Sequence, residues 1–232
     1  MRAQPAAPVG GRQLIGALLK SLLRKPPAAA PSGPQRLHLG CGGDIRPGWI
    51  NLDARALPGV DVVADLDACR RRKLPFAADS IDEFHASHLL EHLTDPLAFM
   101  QEIHRIAKDG AIAVFRVPYG SSDDADQDPT HMRRYFQRSF YYFSQLGYTH
   151  FDYGYRGDWE TESIVLTVDA RRHAGKTFEE LSEEVRTRRN VVIEMTATLK
   201  AVKPARKPGS ARARAMRVEF QFAEPGGAEP LI

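Results

Sequence analysis

Arg36-Leu37-His38-Leu39-Gly40-Cys41-Gly42-Gly43 is the stretch on which the reading of the fold turns. A short apolar run that breaks directly into glycines reads as a strand ending in a tight turn. Glycine suits that turn because a Cβ would block backbone N–H groups from approaching whatever sits above the strand end. Working outward, Trp49-Ile50-Asn51-Leu52-Asp53 reads as a second strand, Asp61-Val62-Val63-Ala64-Asp65 as a third and Ile81 to Ala86 as a fourth. His88 to Ala107 suits a helical region restarting at Asp95-Pro96, with Asp95 as N-cap and Pro96 in the first turn. Ala111 to Val117 is a fifth strand. Strands alternating with helices call for an α/β fold, a mostly parallel sheet with helices on both faces. The interval from Gly42 to Asp53 is too short for a helix and a strand, so the first crossover helix is truncated around Ile45-Arg46-Pro47-Gly48.

Later elements continue the pattern. Tyr119 to Asp128 reads as a polar loop and Arg134 to Leu146 as a helix. Ser163 to Asp169 and Val191 to Val202 read as strands about the helix Phe178 to Arg189, and Met216 to Phe222 as a last strand. The aromatic run Ser139-Phe140-Tyr141-Tyr142-Phe143 is expected in the core. At the other end, Gln13 to Arg24 carries Leu14, Ile15, Leu18, Leu19, Leu22 and Leu23 on one helical stripe. That stripe is expected to pack on the domain or on a second subunit, as in a homodimer, rather than on a membrane surface. The expected division is a loose N-terminal segment with this helix and a Pro/Ala linker over 1–34, a main domain over 35–203, and a basic linker with a C-terminal segment over 204–232.

At 232 residues and a net charge of +3, the chain suits one generous α/β domain, with no nucleic-acid partner implied by charge alone. The two cysteines, Cys41 and Cys69, do not suggest a disulfide scaffold. The apolar run Leu14 to Leu23 is too short to span a bilayer, and a cytoplasmic location is expected.

Asp53 and Asp65 close the second and third strands. A carboxylate at the first position can accept both hydroxyls of a ribose, and one at the second can accept from an adenine amino group. Both fall at the carboxyl ends of strands, where open α/β sheets bind ligands. Leu39-Gly40-Cys41-Gly42, Asn51-Leu52-Asp53, Ala64-Asp65-Leu66 with Leu74-Pro75-Phe76, Ser80-Ile81-Asp82-Glu83 through Leu90-Glu91-His92, and Arg105-Ile106-Ala107-Lys108-Asp109-Gly110 occur in that order. Together they resemble the class I methyltransferases of the small "type 11" bacterial group, from about Leu37 to Pro118. The resemblance implies a Rossmann-like fold and S-adenosyl-L-methionine as cofactor. It implies that His38, Gly40, Cys41 and Gly42 surround the methionine end, that Asp53 takes the ribose, that Asp65 and Leu66 take the adenine, and that Ser87 lines the cleft. His38 stands where the group has an acidic residue, and Asp44 where it has a third glycine.

His88-Leu89-Leu90-Glu91-His92 formally matches the H-x-x-E-H zinc pattern. Its place after the fourth strand explains it without a metal, and no metal is expected. Asp128-Pro129-Thr130-His131, with the aromatic run after it, is similar to a segment of small bacterial methyltransferases. His131 is the candidate base or acceptor-orienting group, supported by Asp128 and His88.

No Asn/Asp-Pro-Pro-Tyr follows the fourth strand, and Cys41 belongs to the turn, so the best-marked nucleic-acid methylation chemistries are absent. The expected reaction moves a methyl group, by in-line displacement, to a hydroxyl, amine or carboxylate of a small or glycan-linked acceptor. The basic stretch from Lys200 to Arg217 keeps one alternative open, a non-catalytic subunit of this fold that binds a protein or an anionic polymer.

Overall fold

The computed structural model describes residues 33–147, 153–210 and 215–224. The helix expected over Gln13 to Arg24 lies outside them. Eight strands form one sheet: β1 (Arg36–Leu39), β2 (Ile50–Asp53), β3 (Val62–Val63), β4 (Ile81–Ser87), β5 (Ala107–Pro118), β6 (Trp159–Asp169), β7 (Val192–Ala201) and β8 (Arg217–Ala223). Their order is β3-β2-β1-β4-β5-β7-β6-β8. All neighbours are parallel except β7, which runs antiparallel to β5 and to β6. The order reverses between β1 and β4, so a ligand cleft belongs above the ends of those two strands. This is the mostly parallel, Rossmann-like sheet that the alternation of elements calls for.

Four α-helices are described: α1 (Pro96–Ile106), α2 (Asp124–Gln127), α3 (Ala170–His173) and α4 (Phe178–Thr187). α1 begins where expected, with the Asp95 carboxylate accepting from Ala98 N and Pro96 in the first turn. Its buried Phe99, Met100, Ile103 and Ile106 recur at helical spacing, and Phe99 meets Phe115 of β5 edge-on. α4 is opened by a capping box between Thr177 and Glu180, and its Phe178 meets Phe220 of β8.

Leu37, Leu39, Leu52, Phe84, Phe115, Met195, Ile164 and Leu166 fill the face of the sheet on which these helices pack. On the opposite face the first two crossovers are turns rather than helices, so among the described residues no crossover helix covers that side. The β1–β2 turn is held by Asn51, whose side chain accepts from Arg46 N and donates to the carbonyls of Arg46 and Trp49. Trp49 then closes over His85 of β4, 6.3 Å between ring centroids. A Trp-bearing turn therefore stands where a longer crossover would place a helix.

Arg134 to Leu146 is not an α-helix; it forms 3-10 turns over Gln137–Phe143 and Gln145–Gly147. The Ser139 hydroxyl accepts from Phe136 N, and the buried rings of Phe140 and Phe143 pull the segment onto the core. Phe140 stacks on Phe115 at 6.2 Å, whereas Tyr141 and Tyr142 of the same run are exposed.

The most enclosed charge in the described residues is Asp158, 0% exposed, just before β6. It accepts from Gln145 N at 3.0 Å, from Arg206 N at 2.9 Å and from the Arg206 guanidinium at 2.8 and 2.9 Å. Burial pushes its pKa up, but the Arg206 hydrogen bonds and charge, with that from Gln145, outweigh it and hold the carboxyl below its usual range. Lys203 likewise pairs with Asp79, and its backbone N–H bonds Asp109. Lys203 and Arg206, part of the basic stretch after β7, are thus held by acids from elsewhere in the chain.

Candidate active site

The glycine turn follows β1 with Gly40 at φ +62° and Gly42 at φ +52°, conformations that L side chains rarely adopt. A Cβ on Gly40 would lie 2.8 Å from Leu89 Cδ1, so a side chain there would have to displace the Leu89 side chain in addition to adopting the strained φ. A Cβ on Gly42 would meet nothing within 4 Å, which leaves its backbone open. Asp53 braces the turn: its Oδ2 accepts from Gly42 N and its Oδ1 from Arg55 N, each at 2.8 Å. Each oxygen keeps a second lone pair, and the side chain is 11% exposed.

His38 lies beneath this turn. It is 1% exposed and meets His85 edge-on at 5.2 Å. Burial, then the Arg46 charge, depresses its pKa, and burial pushes that of His85 down to about 4. Asp44, at the place of the third glycine, faces solvent and pairs with Arg46 at 3.4 Å. The His38–His85 pair is thus a neutral, desolvated support for the turn.

Asp65 follows β3 and caps the 3-10 turn Leu66–Arg70, accepting from Asp67 N; Leu66 and Cys69 point inward. Asp67 accepts from Thr94 N and the Thr94 hydroxyl, tying this turn to the entry of α1.

Ser87 ends β4, and His88 follows at φ +50°, so His88 to His92 does not form the continuous helix that would put both histidines on one face. Their rings go separate ways. His88 sits between two carboxylates, with Nε2 3.2 Å from Glu194 Oε2 and Nδ1 3.2 Å from Glu91 Oε1. Its hydrogen bond to Glu194, then the neighbouring Glu91 carboxylate, raise its pKa to about 9. His88 is therefore an imidazolium at neutral pH and is unavailable as a base. Arg116 of β5 pairs with the other oxygen of Glu194 at 2.5 Å.

His92 faces the other way, toward the segment between β5 and β6. Met132 N and Arg133 N donate to the Glu91 carbonyl, and the Tyr135 hydroxyl donates to the Leu90 carbonyl. These bonds lay the Asp128–His131 segment against the 3-10 turn Leu90–His92. There the Thr130 hydroxyl lies 3.0 Å from His92 Nδ1 and donates to Asp128 Oδ1 at 2.7 Å. His131 Nδ1 is 3.3 Å from the Ala125 carbonyl, and its Nε2 is 3.8 Å from Asp128 Oδ2. The bonds from Thr130 hold the Asp128 carboxyl below its usual range. A hollow of about 360 Å³ opens here, lined by Asp128, His131 and Arg134 among others. A hollow of about 400 Å³ beside Tyr142, Glu160 and Arg206 lies near the start of β6, at the opposite end of the sheet from the glycine turn.

The sequence candidates thus gather in two groups: Gly40, Cys41, Gly42, Asp53, Asp65, Leu66 and Ser87 along the strand ends, and Asp128 with His131 above the turn after β4. His38 is buried below the first group, and His88 is neutralised between them. Glu194 and Arg116, which fix His88, escaped the sequence reading. The available signal was the single carboxylate in the strand-like run Val191 to Val202.

Sheet order, glycine turn and strand-end carboxylates define a Rossmann-like domain. Residues 34–115 match the family model described as "Methyltransferase domain". Over that segment the chain is similar to methyltransferase domains. Solved structures similar to it include a SAM-dependent methyltransferase from Archaeoglobus fulgidus, 16% identical, with a TM-score of 0.48 over 72% of this chain and 86% of that one. Another is a putative methyltransferase from Bacillus halodurans, 13% identical, with a TM-score of 0.47 over 83% and 99%. No curated protein matches the sequence. The residues at the strand ends fit the cofactor: each Asp53 oxygen keeps a lone pair beside the open space at Gly42, acceptors suited to the hydroxyls of a nucleoside. No helix of the described residues is long and apolar enough to cross a membrane.

Proposed function

We propose that the chain moves a methyl group to a hydroxyl, amine or carboxylate of a small or glycan-linked acceptor, and that the Asp128–His131 segment receives that acceptor. The observation that carries this reading is the hydrogen-bonded docking of that segment on the turn after β4, which puts His131 at the same end of the sheet as Gly42 and Asp53. S-adenosylmethionine supplies, when bound, a methyl group already activated by its sulfonium. Gly40, Cys41 and Gly42 would hold its methionine end, Asp53 its ribose, Asp65 and Leu66 its adenine, with Ser87 lining the cleft. His38 would act from below, by supporting the turn.

Little chemical assistance is then asked of the chain beyond alignment and exclusion of water. A hydroxyl or an ammonium acceptor has a proton to lose. A carbonyl oxygen only accepts, so the contact with Ala125 puts the His131 proton on Nδ1 and leaves a lone pair on Nε2. That lone pair can take the acceptor proton, and Asp128 stabilises the imidazolium that forms. His88, already charged and matched by Glu194 and Glu91, contributes no base. A His131→Gln variant is expected to lose about 10²–10⁴ in kcat while binding S-adenosylhomocysteine as the wild type does. The readout is S-adenosylhomocysteine release across a panel of sugars, amines and small carboxylic acids. Unchanged turnover on a hydroxyl or amine acceptor would remove His131 from the proton transfer.

A further inference from the structure

We propose that Glu91, His92 and His131 form a binding site for one divalent first-row transition-metal ion, with zinc the best match to its donor set. Each offers one ligand atom, and these atoms lie within 4.8 Å of one another. The His92 and His131 rings meet edge-on, 4.8 Å between centroids. Among the described residues no other group of three such side chains comes together in this way.

The side chains are prepared for a cation by their surroundings. The Thr130 hydroxyl gives its proton to Asp128, so its oxygen accepts from His92 Nδ1. His131 Nδ1 gives its proton to the Ala125 carbonyl. Both rings are thereby held in the tautomer that leaves Nε2 with a lone pair. Anchoring of the far nitrogen by a hydroxyl–carboxylate relay or a carbonyl is how outer-shell groups orient histidine ligands.

Glu91 supplies the independent observation. It is 1% exposed, and its Oε2 has no hydrogen-bond partner among the described residues. Oε1 lies 3.2 Å from His88 Nδ1, within ion-pair range but not aligned for a hydrogen bond. A carboxyl oxygen buried without a partner is costly, and a metal ion bound there removes that cost. The backbone of Glu91 is itself pinned to the His131 segment, since its carbonyl accepts from Met132 N at 2.7 Å and Arg133 N at 3.1 Å.

Two neutral imidazoles and one carboxylate are a zinc donor set of the kind that leaves a fourth position open. Ligand atoms about 2 Å from a common ion stand about 3.3 Å apart in tetrahedral geometry. The present spread of up to 4.8 Å would have to close by about 1.5 Å on binding. Asp128 Oδ2, 3.8 Å from His131 Nε2, or a water can take the fourth position.

The site draws on the same His131 Nε2 lone pair as the acceptor reading, so a bound ion and the base role exclude one another, and the two are decided by separate experiments. The test uses the full chain, free of any histidine tag and stripped with a chelator, titrated with Zn²⁺ and, as a spectroscopic substitute, Co²⁺. One equivalent of Zn²⁺ is expected to bind at micromolar concentration or below, with Co²⁺ giving the visible absorption of a low-coordinate site. Thr130→Val should weaken Zn²⁺ by about 10- to 100-fold by releasing the His92 ring. His92→Ala and Glu91→Gln should weaken it further. Binding of S-adenosylhomocysteine by each variant reports that it has folded, and Thr130, exposed and outside the metal shell, serves if the others fail that control. Absence of Zn²⁺ uptake, or uptake of equal affinity in wild type and Thr130→Val, overturns the proposal. The acceptor reading would survive that result, because His131→Gln kinetics decide it separately.

Discussion

Asp158→Ala is expected to lower stability by about 3–5 kcal/mol, the cost of breaking a buried ion pair from one side. The carboxylate is fully enclosed, and it joins the start of β6, the Gln145 turn and the Arg206 segment. Arg206 keeps a quarter of its side chain in water, 25%, which favours the lower end of that range. For a chain of this size the loss corresponds to roughly 6–20 °C in Tm. The pH dependence carries a definite sign. The folded pKa of Asp158 lies below its unfolded value, so its contribution is present in full above about pH 4 and disappears as pH falls through the folded value. The gap between wild type and Asp158→Ala should therefore be widest at neutral pH and shrink below about pH 4. Buried His85, with its pKa lowered to about 4, also stabilises the neutral protein, and its share declines as pH falls from 6.5 toward that value. It does so equally in both proteins and cancels in the difference. Denaturant melts at neutral and acid pH check this; a neutral-pH difference below about 1 kcal/mol would assign the Asp158 hub no more weight than a surface pair.

Asp53→Ala should weaken S-adenosylhomocysteine by about 30- to 700-fold, or about 2–4 kcal/mol, as charge-assisted hydrogen bonds to the ribose are lost. Part of that loss would come through the turn, because Gly42 N and Arg55 N lose the acceptor that fixes them. Asp53→Asn separates the contributions: it keeps one carbonyl acceptor for the turn but removes the charge. Calorimetry on both variants is the check. Weakening of less than about threefold in Asp53→Ala would remove Asp53 from the cofactor site.

Much of this architecture can be read along the chain. β1 and its glycines, the aspartates at the ends of the next strands, and the Asp95-Pro96 entry into α1 are local features, and local rules suffice for them. The third strand shrinks from Asp61–Asp65 to Val62–Val63 because, at the sheet edge, only β2 pairs with it. Arg134 to Leu146 has helical-looking periodicity, but its aromatic residues satisfy the core better from 3-10 turns. The site partners were harder to foresee, because they join residues far apart in sequence. His88 and Glu194 are separated by 106 positions and His92 and Thr130 by 38, and nothing in either segment names the other. The formal zinc pattern illustrates this. Its spacing pairs His88 with His92, whereas the positive φ at His88 sends that ring to Glu194 and leaves His92 to meet His131.

The most direct test of the cofactor assignment is calorimetric titration of the wild-type chain with S-adenosylmethionine and S-adenosylhomocysteine. One site per chain with micromolar affinity for both is the predicted result. Failure of both to bind the folded wild-type protein would contradict the assignment of the Gly40–Gly42 turn, and with it the methyl-transfer reading of the strand ends.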